Sequence, residues 1–139
     1  MREVVGVALL DARRVLAARR AFPSHLAGSW EFPGGKVEPG EDPAATAVRE
    51  IVEELGCGIE VTGWLEGESL IQPSPEPSVE PVETGLLLRI ATARLTDGDP
   101  VPAEHDAVRW LRADQLDAVT WAEADVPFLP AVRDLLDPS

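Results

Sequence analysis

The sequence has few cysteines and few basic residues. Its single cysteine, Cys57, excludes an internal disulfide and, on its own, a zinc site. This cysteine usage is typical of a reducing compartment, so we expect a cytoplasmic protein. Twelve Lys and Arg stand against 25 Asp and Glu, which gives a formal charge of -13. An acidic surface of this kind repels polyanions and argues against binding to long nucleic acid.

Long apolar runs are also missing. The first ten residues contain one arginine and a short apolar run that ends at Asp11, which favours a buried strand over a secretory signal. No stretch approaches the length of a membrane span, so we expect no membrane association. What remains is 139 residues with 45% apolar and 27% charged residues, typical of one core-forming domain over 1–139.

The order of local patterns predicts a mixed α/β fold with helices packed on a mixed sheet. A hairpin over 4–10 and 15–18 is followed by a glycine- and proline-containing segment, 22–40, which indicates a long loop. Asp42 and Pro43 then begin a helix that Gly56 ends. Further strands are expected at 59–65, 85–95 and 107–111, helical turns at 113–118, a helix at 128–136, and a proline-rich loop at 72–83.

The central helix is amphipathic and carries a cluster of acids. Its apolar stripe is expected to face the core and consists of Ala44, Ala47, Val48, Ile51, Val52 and Leu55. Glu50, Glu53 and Glu54 lie on the opposite side at i, i+3 and i+4, where like charges repel. Two interpretations are open: a solvated acidic face with partial neutralisation by Arg49, or a site for a hard divalent cation such as Mg²⁺, which takes carboxylate oxygens together with substrate phosphates.

The residues around this cluster resemble a known motif. Gly35, five residues, Glu41, seven residues, Arg49-Glu50-Ile51, one residue, Glu53-Glu54, one residue and Gly56-Cys57 are similar to the Nudix box. Cys57 stands where that family usually has an aliphatic residue, and a buried cysteine is a passable small hydrophobe. The segment Trp30-Glu31-Phe32-Pro33-Gly34-Gly35-Lys36 resembles the MutT-like branch. The resemblance implies a Nudix α/β/α sandwich with a central mixed β-sheet and the Nudix loop and helix.

The same resemblance implies an activity: Mg²⁺-dependent hydrolysis of (deoxy)nucleoside triphosphates to monophosphate and pyrophosphate, with Mn²⁺ as an alternative metal. The implied metal ligands are the backbone carbonyl of Gly34 and the carboxylates of Glu50, Glu53, Glu54 and Glu104. Glu50, or failing that Glu53, is the expected catalytic base. Gly35, Glu41, Arg49 and Gly56 are the structural positions of the box, and Glu41 and Arg49 are expected to pair. The positions implied to contact substrate are Arg20, His25, Glu31, Phe32 and Asp125.

Simpler interpretations of several of these residues stay open. Glu104 can be an ordinary surface acid, Arg20 a surface charge and His25 a loop residue. Asp125 can cap the terminal helix ahead of Pro127. As a base contact, an ionised aspartate only accepts hydrogen bonds, which suits the amino group of cytosine or a base that donates twice. Trp64, Trp110 and Trp121 are candidates for the core or for a homodimer interface.

Three other functions compete with this one. ADP-ribose and nucleoside-diphosphate-sugar hydrolases of this family resemble the chain in having a proline about fifteen residues past the box, and Pro73 is sixteen past Cys57. We discount this alternative because those relatives are usually longer at the N-terminus and differ around the first glycines of the box. A catalytically silent Nudix domain would only bind a nucleotide, although it would have no need of three mutually repelling carboxylates. An acidic α/β interaction module would bind no metal, and metal-dependent thermal stabilisation would separate it from both.

Overall fold

The computed structural model describes residues 2–21, 27–71 and 85–138. Within these ranges the strands are β1 (Arg2–Asp11), β2 (Arg14–Arg19), β3 (Trp30–Glu31), β4 (Gly34–Lys36), β5 (Gly58–Trp64), β6 (Ser69–Ile71), β7 (Leu86–Asp97) and β8 (Ala107–Leu111). The helices are α1 (Pro43–Leu55) and α2 (Leu129–Leu136), with two short 3-10 helices at Ala113–Ala118 and Glu123–Phe128. His25, Pro73 and the predicted loop 72–83 lie outside the described residues.

The strands form one mixed sheet with β1 near its centre. β1 pairs in parallel with β7 and antiparallel with β2, and the order along the sheet is β3-β2-β1-β7-β5. The β2 edge of β1 is shared: β2 pairs with its last residues, while β4 pairs with its first half through Val5 opposite Gly35. Strands β2 and β4 therefore lie along the same edge of β1, the edge that does not pair with β7.

Each face of the sheet carries its own apolar core, because successive residues of a strand point to opposite faces. Val5, Val7 and Leu9 of β1 pack with the buried residues of α1 on one face. On the other face Ala8 packs with a cluster that includes Ile90 and residues of α2 such as Val132. This arrangement confirms the α/β/α sandwich predicted from the sequence.

Helix α1 begins and ends at the predicted signals. The Asp42 side chain accepts a hydrogen bond from the Ala45 backbone N–H at 3.3 Å, and Pro43 occupies the first turn. Gly56 ends the helix in the left-handed region with φ 68°, donating its N–H to the Val52 carbonyl at 3.0 Å. The cap residues thus fix which turn of α1 carries each glutamate.

The buried face of α1 is not the predicted one. Val48 and Val52, assigned to the core stripe, are 37% and 52% exposed, whereas Thr46 and Glu54 are buried beside Ala47, Ile51 and Leu55. The helix is rotated towards its glutamates because strand β4 approaches that side. The Glu50 carboxylate fits there because Gly35 has no side chain. A Cβ at position 35 would overlap the carboxylate.

The prediction of an unbroken loop over 22–40 is also wrong. Strands β3 and β4 lie within it, and the glycines that suggested a loop are needed for close backbone packing: a Cβ on Gly34 would overlap the Val5 carbonyl. The short strand β6 and the 3-10 helix Glu123–Phe128 were not predicted either. Both contribute to the site described below.

The tryptophans have mixed environments. Trp121 is buried and donates its indole N–H to the Leu116 carbonyl at 2.8 Å. Trp64 and Trp110 are partly buried, with the guanidinium groups of Arg89 and Arg14 over their rings at 4.4 and 5.4 Å. The homodimer stays a prediction. No helix in the described ranges is long and apolar enough to cross a membrane.

Candidate active site

An ion-paired clamp fixes the loop before α1 to the helix. Arg49 donates from Nε and Nη2 to the two carboxylate oxygens of Glu41, at 2.8 and 2.9 Å, so the predicted pair is present. Thr46 Oγ1 and the Glu38 backbone N–H add hydrogen bonds of 2.7 and 3.1 Å. These donors, Arg49 first among them, lower the pKa of Glu41 to about 2. The carboxylate therefore stays ionised and the clamp stays closed over the working pH range.

The third nitrogen of the same guanidinium faces the acidic cluster. Arg49 Nη1 donates to Glu50 Oε1 at 3.0 Å and lies 3.4 Å from Glu53 Oε2. Glu50 is mostly buried, and its burial raises its pKa, which Arg49 opposes. Its carboxylate packs against Gly35 so closely that a Cβ at that position would overlap it. Gly35 and Arg49 together determine where the Glu50 carboxylate lies.

Glu54 is the most unusual member of the cluster. The sequence placed it on an exposed helix face, but only 7% of it is exposed, and its Oε2 has no hydrogen-bond partner within residues 2–21, 27–71 and 85–138. Burial, followed by the charges of Glu50, Glu31 and Glu104, raises its pKa to about 8. Buried polar atoms without a partner are rare and costly. A buried carboxylate in this state needs either a proton or a cation.

The loop after β7 brings Glu104 to the same place. The Ala103 backbone N–H donates to the Glu54 carbonyl at 2.9 Å, and the charge of exposed Glu104 raises the pKa of both Glu50 and Glu54. Among the described residues, no three acidic, histidine or cysteine side chains converge as a metal-binding group in this conformation. Arg49 instead pairs with the carboxylates of Glu50 and Glu53. The oxygen-rich donor set and the orphaned Glu54 oxygen nevertheless fit a hard divalent cation.

A cavity of about 770 Å³ lies near this cluster, although none of the four glutamates lines it; Gly35, against which the Glu50 carboxylate packs, does. It lies between the sheet and the 3-10 helix Glu123–Phe128, and Gly35 contributes to its wall on the side of Glu50. Four predicted substrate contacts line it: Arg20, Glu31, Phe32 and Asp125. The fifth, His25, lies outside the described residues.

Within the cavity wall, Glu31 joins two basic side chains. Arg20 Nε donates to Glu31 Oε1 at 2.7 Å, and His105 Nε2 lies 2.9 Å from Glu31 Oε2. No pattern in the sequence singles out His105. Its only sequence signal is its place next to Glu104, because its partner Glu31 is 74 positions away.

Asp125 also lines the cavity and is buried, with 5% exposure. Its Oδ2 accepts the Phe32 backbone N–H at 2.8 Å, and burial raises its pKa to about 7. The alternative that it caps the terminal helix is wrong, since it lies within the preceding 3-10 helix and α2 begins only at Leu129. This raised pKa brings the titration of the Asp125 carboxyl close to neutral pH.

Comparisons with known proteins show which family the chain belongs to. A family model described as NUDIX domain matches residues 1–132. The chain is 37% identical over 122 residues to the putative 8-oxo-dGTP diphosphatase 2 of Mycobacterium tuberculosis, covering 88% of this chain and 81% of that protein. It is 35% identical over 137 residues to the CTP pyrophosphohydrolase of Escherichia coli K12, covering 97% and 93%. The solution structure of the E. coli ORF135 protein matches with a TM-score of 0.76 and 30% identity, covering 99% and 92%.

These matches span nearly the whole chain. The interaction module and the catalytically silent domain are therefore set aside, since the relatives are named as diphosphatases and pyrophosphohydrolases. The chain belongs to the Nudix family and is a Nudix hydrolase of the MutT type.

Proposed function

We propose that this enzyme hydrolyses (deoxy)nucleoside triphosphates to nucleoside monophosphate and pyrophosphate, with Mg²⁺ as its metal and Mn²⁺ as a substitute. Nudix hydrolases generally use divalent metal ions and act on small nucleotides. The observation that carries the proposal is the position of Gly35, which contacts the Glu50 carboxylate and also lines the cavity. A nucleotide in the cavity can thus present its phosphates to the acidic cluster.

The residues that would hold the metal are Glu50, Glu53, Glu54, Glu104 and the Gly34 carbonyl. When bound, the metal neutralises phosphate charge and lowers the pKa of water. Such neutralisation is needed because the chain has a formal charge of -13 and its substrate is a polyanion. Arg20, which lines the cavity, adds a positive charge for the phosphates.

Proton removal from the attacking water falls to a carboxylate of α1. Glu50 is the proposed base and Glu53 the second choice. A general base works best when its pKa lies near the operating pH, and burial raises the pKa of Glu50 in that direction. Arg49, hydrogen-bonded to Glu50 Oε1, keeps the carboxylate oriented. In the MutT-like reaction the attack falls on the β-phosphorus, which separates monophosphate from pyrophosphate.

Asp125 and the cavity around it are proposed to select the base. Because Oδ2 is held by the Phe32 N–H, the remaining oxygen is the one available to a ligand. Ionised, that oxygen accepts from the amino group of cytosine; protonated, it donates to a carbonyl such as those of an oxidised purine. Cytosine nucleotides and 8-oxo-dGTP are accordingly the two substrate classes proposed, in keeping with the names of the relatives.

The proposal is tested by a product-resolved panel with Mg²⁺, with and without chelator. The panel contains 8-oxo-dGTP, dGTP, CTP, dCTP, 5-methyl-dCTP, ATP and ADP-ribose. We expect chelator-sensitive release of pyrophosphate from a cytosine nucleotide or from 8-oxo-dGTP. Release of orthophosphate alone would refute the assigned bond cleavage, and hydrolysis of ADP-ribose alone would favour the nucleoside-diphosphate-sugar alternative.

Asp125→Asn is expected to change the substrate ratio. The amide oxygen can keep the bond from Phe32, but the amide nitrogen then faces the ligand and only donates. If Asp125 accepts from cytosine, kcat/KM for cytosine nucleotides falls on the order of 10 to 100-fold relative to 8-oxo-dGTP. Thermal melting serves as the control for folding. An unchanged ratio of the two kcat/KM values in a folded variant would remove Asp125 from base selection.

A further inference from the structure

The loop that carries Glu104 is attached to the molecule on two sides. Towards α1, the backbone N–H groups of Val101 and Ala103 donate to the carbonyls of Leu55 and Glu54, both at 2.9 Å. These are among the last helical carbonyls, which lack partners within the helix. Towards the sheet, the Asp106 N–H donates to the Arg19 carbonyl at 3.2 Å. Glu104 lies between the two attachments.

His105 is the buried side chain of this loop. Its side chain is 5% exposed, and Nε2 lies 2.9 Å from Oε2 of Glu31, itself held by Arg20. A carboxylate accepts hydrogen bonds, so Nε2 carries the hydrogen and donates it. Among the residues that the structure describes, Nδ1 is buried without a hydrogen-bond partner. Within this part of the chain the imidazole therefore makes one hydrogen bond, to Glu31, and it joins the loop to the cavity wall.

We propose that His105 is a positioning residue: its hydrogen bond to Glu31 fixes the loop so that Glu104 stays beside the glutamates of α1. The inference rests on the proposed function, because it takes Glu104 as a metal ligand. His105 itself touches neither metal nor phosphate in this role. It links the wall of the nucleotide cavity to the fourth carboxylate of the acidic cluster.

The test compares two substitutions of similar size. His105→Gln can place an amide N–H near the position of Nε2 and donate to Glu31, whereas His105→Leu fills the space without a donor. Mn²⁺ binding is measured by electron paramagnetic resonance on the full chain without nucleotide. Residues that orient metal ligands typically contribute 10 to 100-fold in metal affinity. We expect His105→Leu to weaken Mn²⁺ binding about 10-fold and His105→Gln to remain within about 3-fold of wild type.

A double-mutant cycle shows whether His105 acts through Glu104. Glu104→Gln alone should weaken Mn²⁺ binding, and adding His105→Leu should then weaken it no further. Equal losses for the Leu and Gln variants would assign His105 to packing and overturn the proposal. Multiplying losses in the double variant would overturn it too, since His105 would then act by another route.

Two further outcomes are distinguishable from a failure of the proposed role of His105: a variant that does not fold, and a wrong substrate assignment. If His105→Leu does not fold, His105→Asn takes its place, because its shorter amide stands at the Nδ1 position and does not reach Glu31. A wild-type chain that binds Mn²⁺ with the expected coupling but cleaves no nucleoside triphosphate refutes the proposed substrate and leaves the role of His105 standing. A wild-type chain that binds no Mn²⁺ overturns both.

Discussion

Glu54→Gln should lower the hydrolysis rate on the order of 10² to 10³-fold and at the same time stabilise the metal-free protein. The loss of rate follows from removing a carboxylate that is placed to ligate the cation. The gain in stability follows from burial: Glu54 is 7% exposed, and one of its oxygens has no partner in the described part of the chain. A neutral amide of the same shape avoids both costs of the carboxyl, which must either take up a proton or bury a charge next to Glu50, Glu31 and Glu104.

The stability effect has a defined pH range. The pKa of Glu54 is raised from 4.5 to about 8 in the folded protein, so over this range the folded state holds a proton that the unfolded state has released. Stability contributed by that proton is complete below the unfolded pKa and is lost as pH rises through the folded one. Wild-type stability without metal should therefore fall from about pH 5 to pH 8, and Glu54→Gln should flatten the decline.

Thermal melting at pH 5 and pH 8, with chelator and with Mg²⁺, measures this. At pH 8 and without metal we expect the melting temperature of Glu54→Gln to exceed that of wild type on the order of 5 °C, and Mg²⁺ to stabilise only the wild type. Glu53→Gln is the matched control, because its side chain is 55% exposed and its charge costs little in the folded state. Normal turnover by Glu54→Gln would refute its assignment as a metal ligand.

The parts of this molecule that the sequence predicts are those set by neighbours in the chain. Asp42, Pro43 and Gly56 act within a turn of their own positions, and they place the ends of α1 correctly. Strand β8 and the 3-10 helix at Ala113–Ala118 likewise have the predicted bounds. Local signals suffice for these elements because their caps and periodicity do not depend on what packs against them.

The parts that the sequence does not predict depend on contacts between distant segments. Helical periodicity selects apolar residues for the core, so it assigned Val52 to the inside and Glu54 to the outside, although β4 packs against the glutamate side. Glycines suggest a loop, yet Gly34 belongs to a strand that approaches the Val5 backbone. The contact of His105 with Glu31 joins segments 74 positions apart, and no local pattern encodes it.

Gly35→Ala is the second substitution with a large expected effect, and it should act on the site with little effect on the fold. Because Gly35 lies in strand β4, alanine can adopt its backbone conformation. The new Cβ would overlap the Glu50 carboxylate, the mobile end of a long side chain, which can swing aside. We expect a stability change within about 1 kcal/mol but a loss of turnover on the order of 10²-fold, since small displacements of catalytic groups cost that much.

Gly34→Ala, one residue away, is the matched control with the opposite balance. Its Cβ would overlap the Val5 carbonyl, which is backbone of the central strand β1 and cannot rotate away. The strands must separate or shift register, so unfolding free energy should fall by about 3 kcal/mol or more. Urea denaturation and turnover at saturating Mg²⁺ distinguish the two. If Gly35→Ala lost as much stability as Gly34→Ala, its loss of activity would come from a damaged fold. The displacement of the Glu50 carboxylate would then not explain why β4 has glycine at position 35.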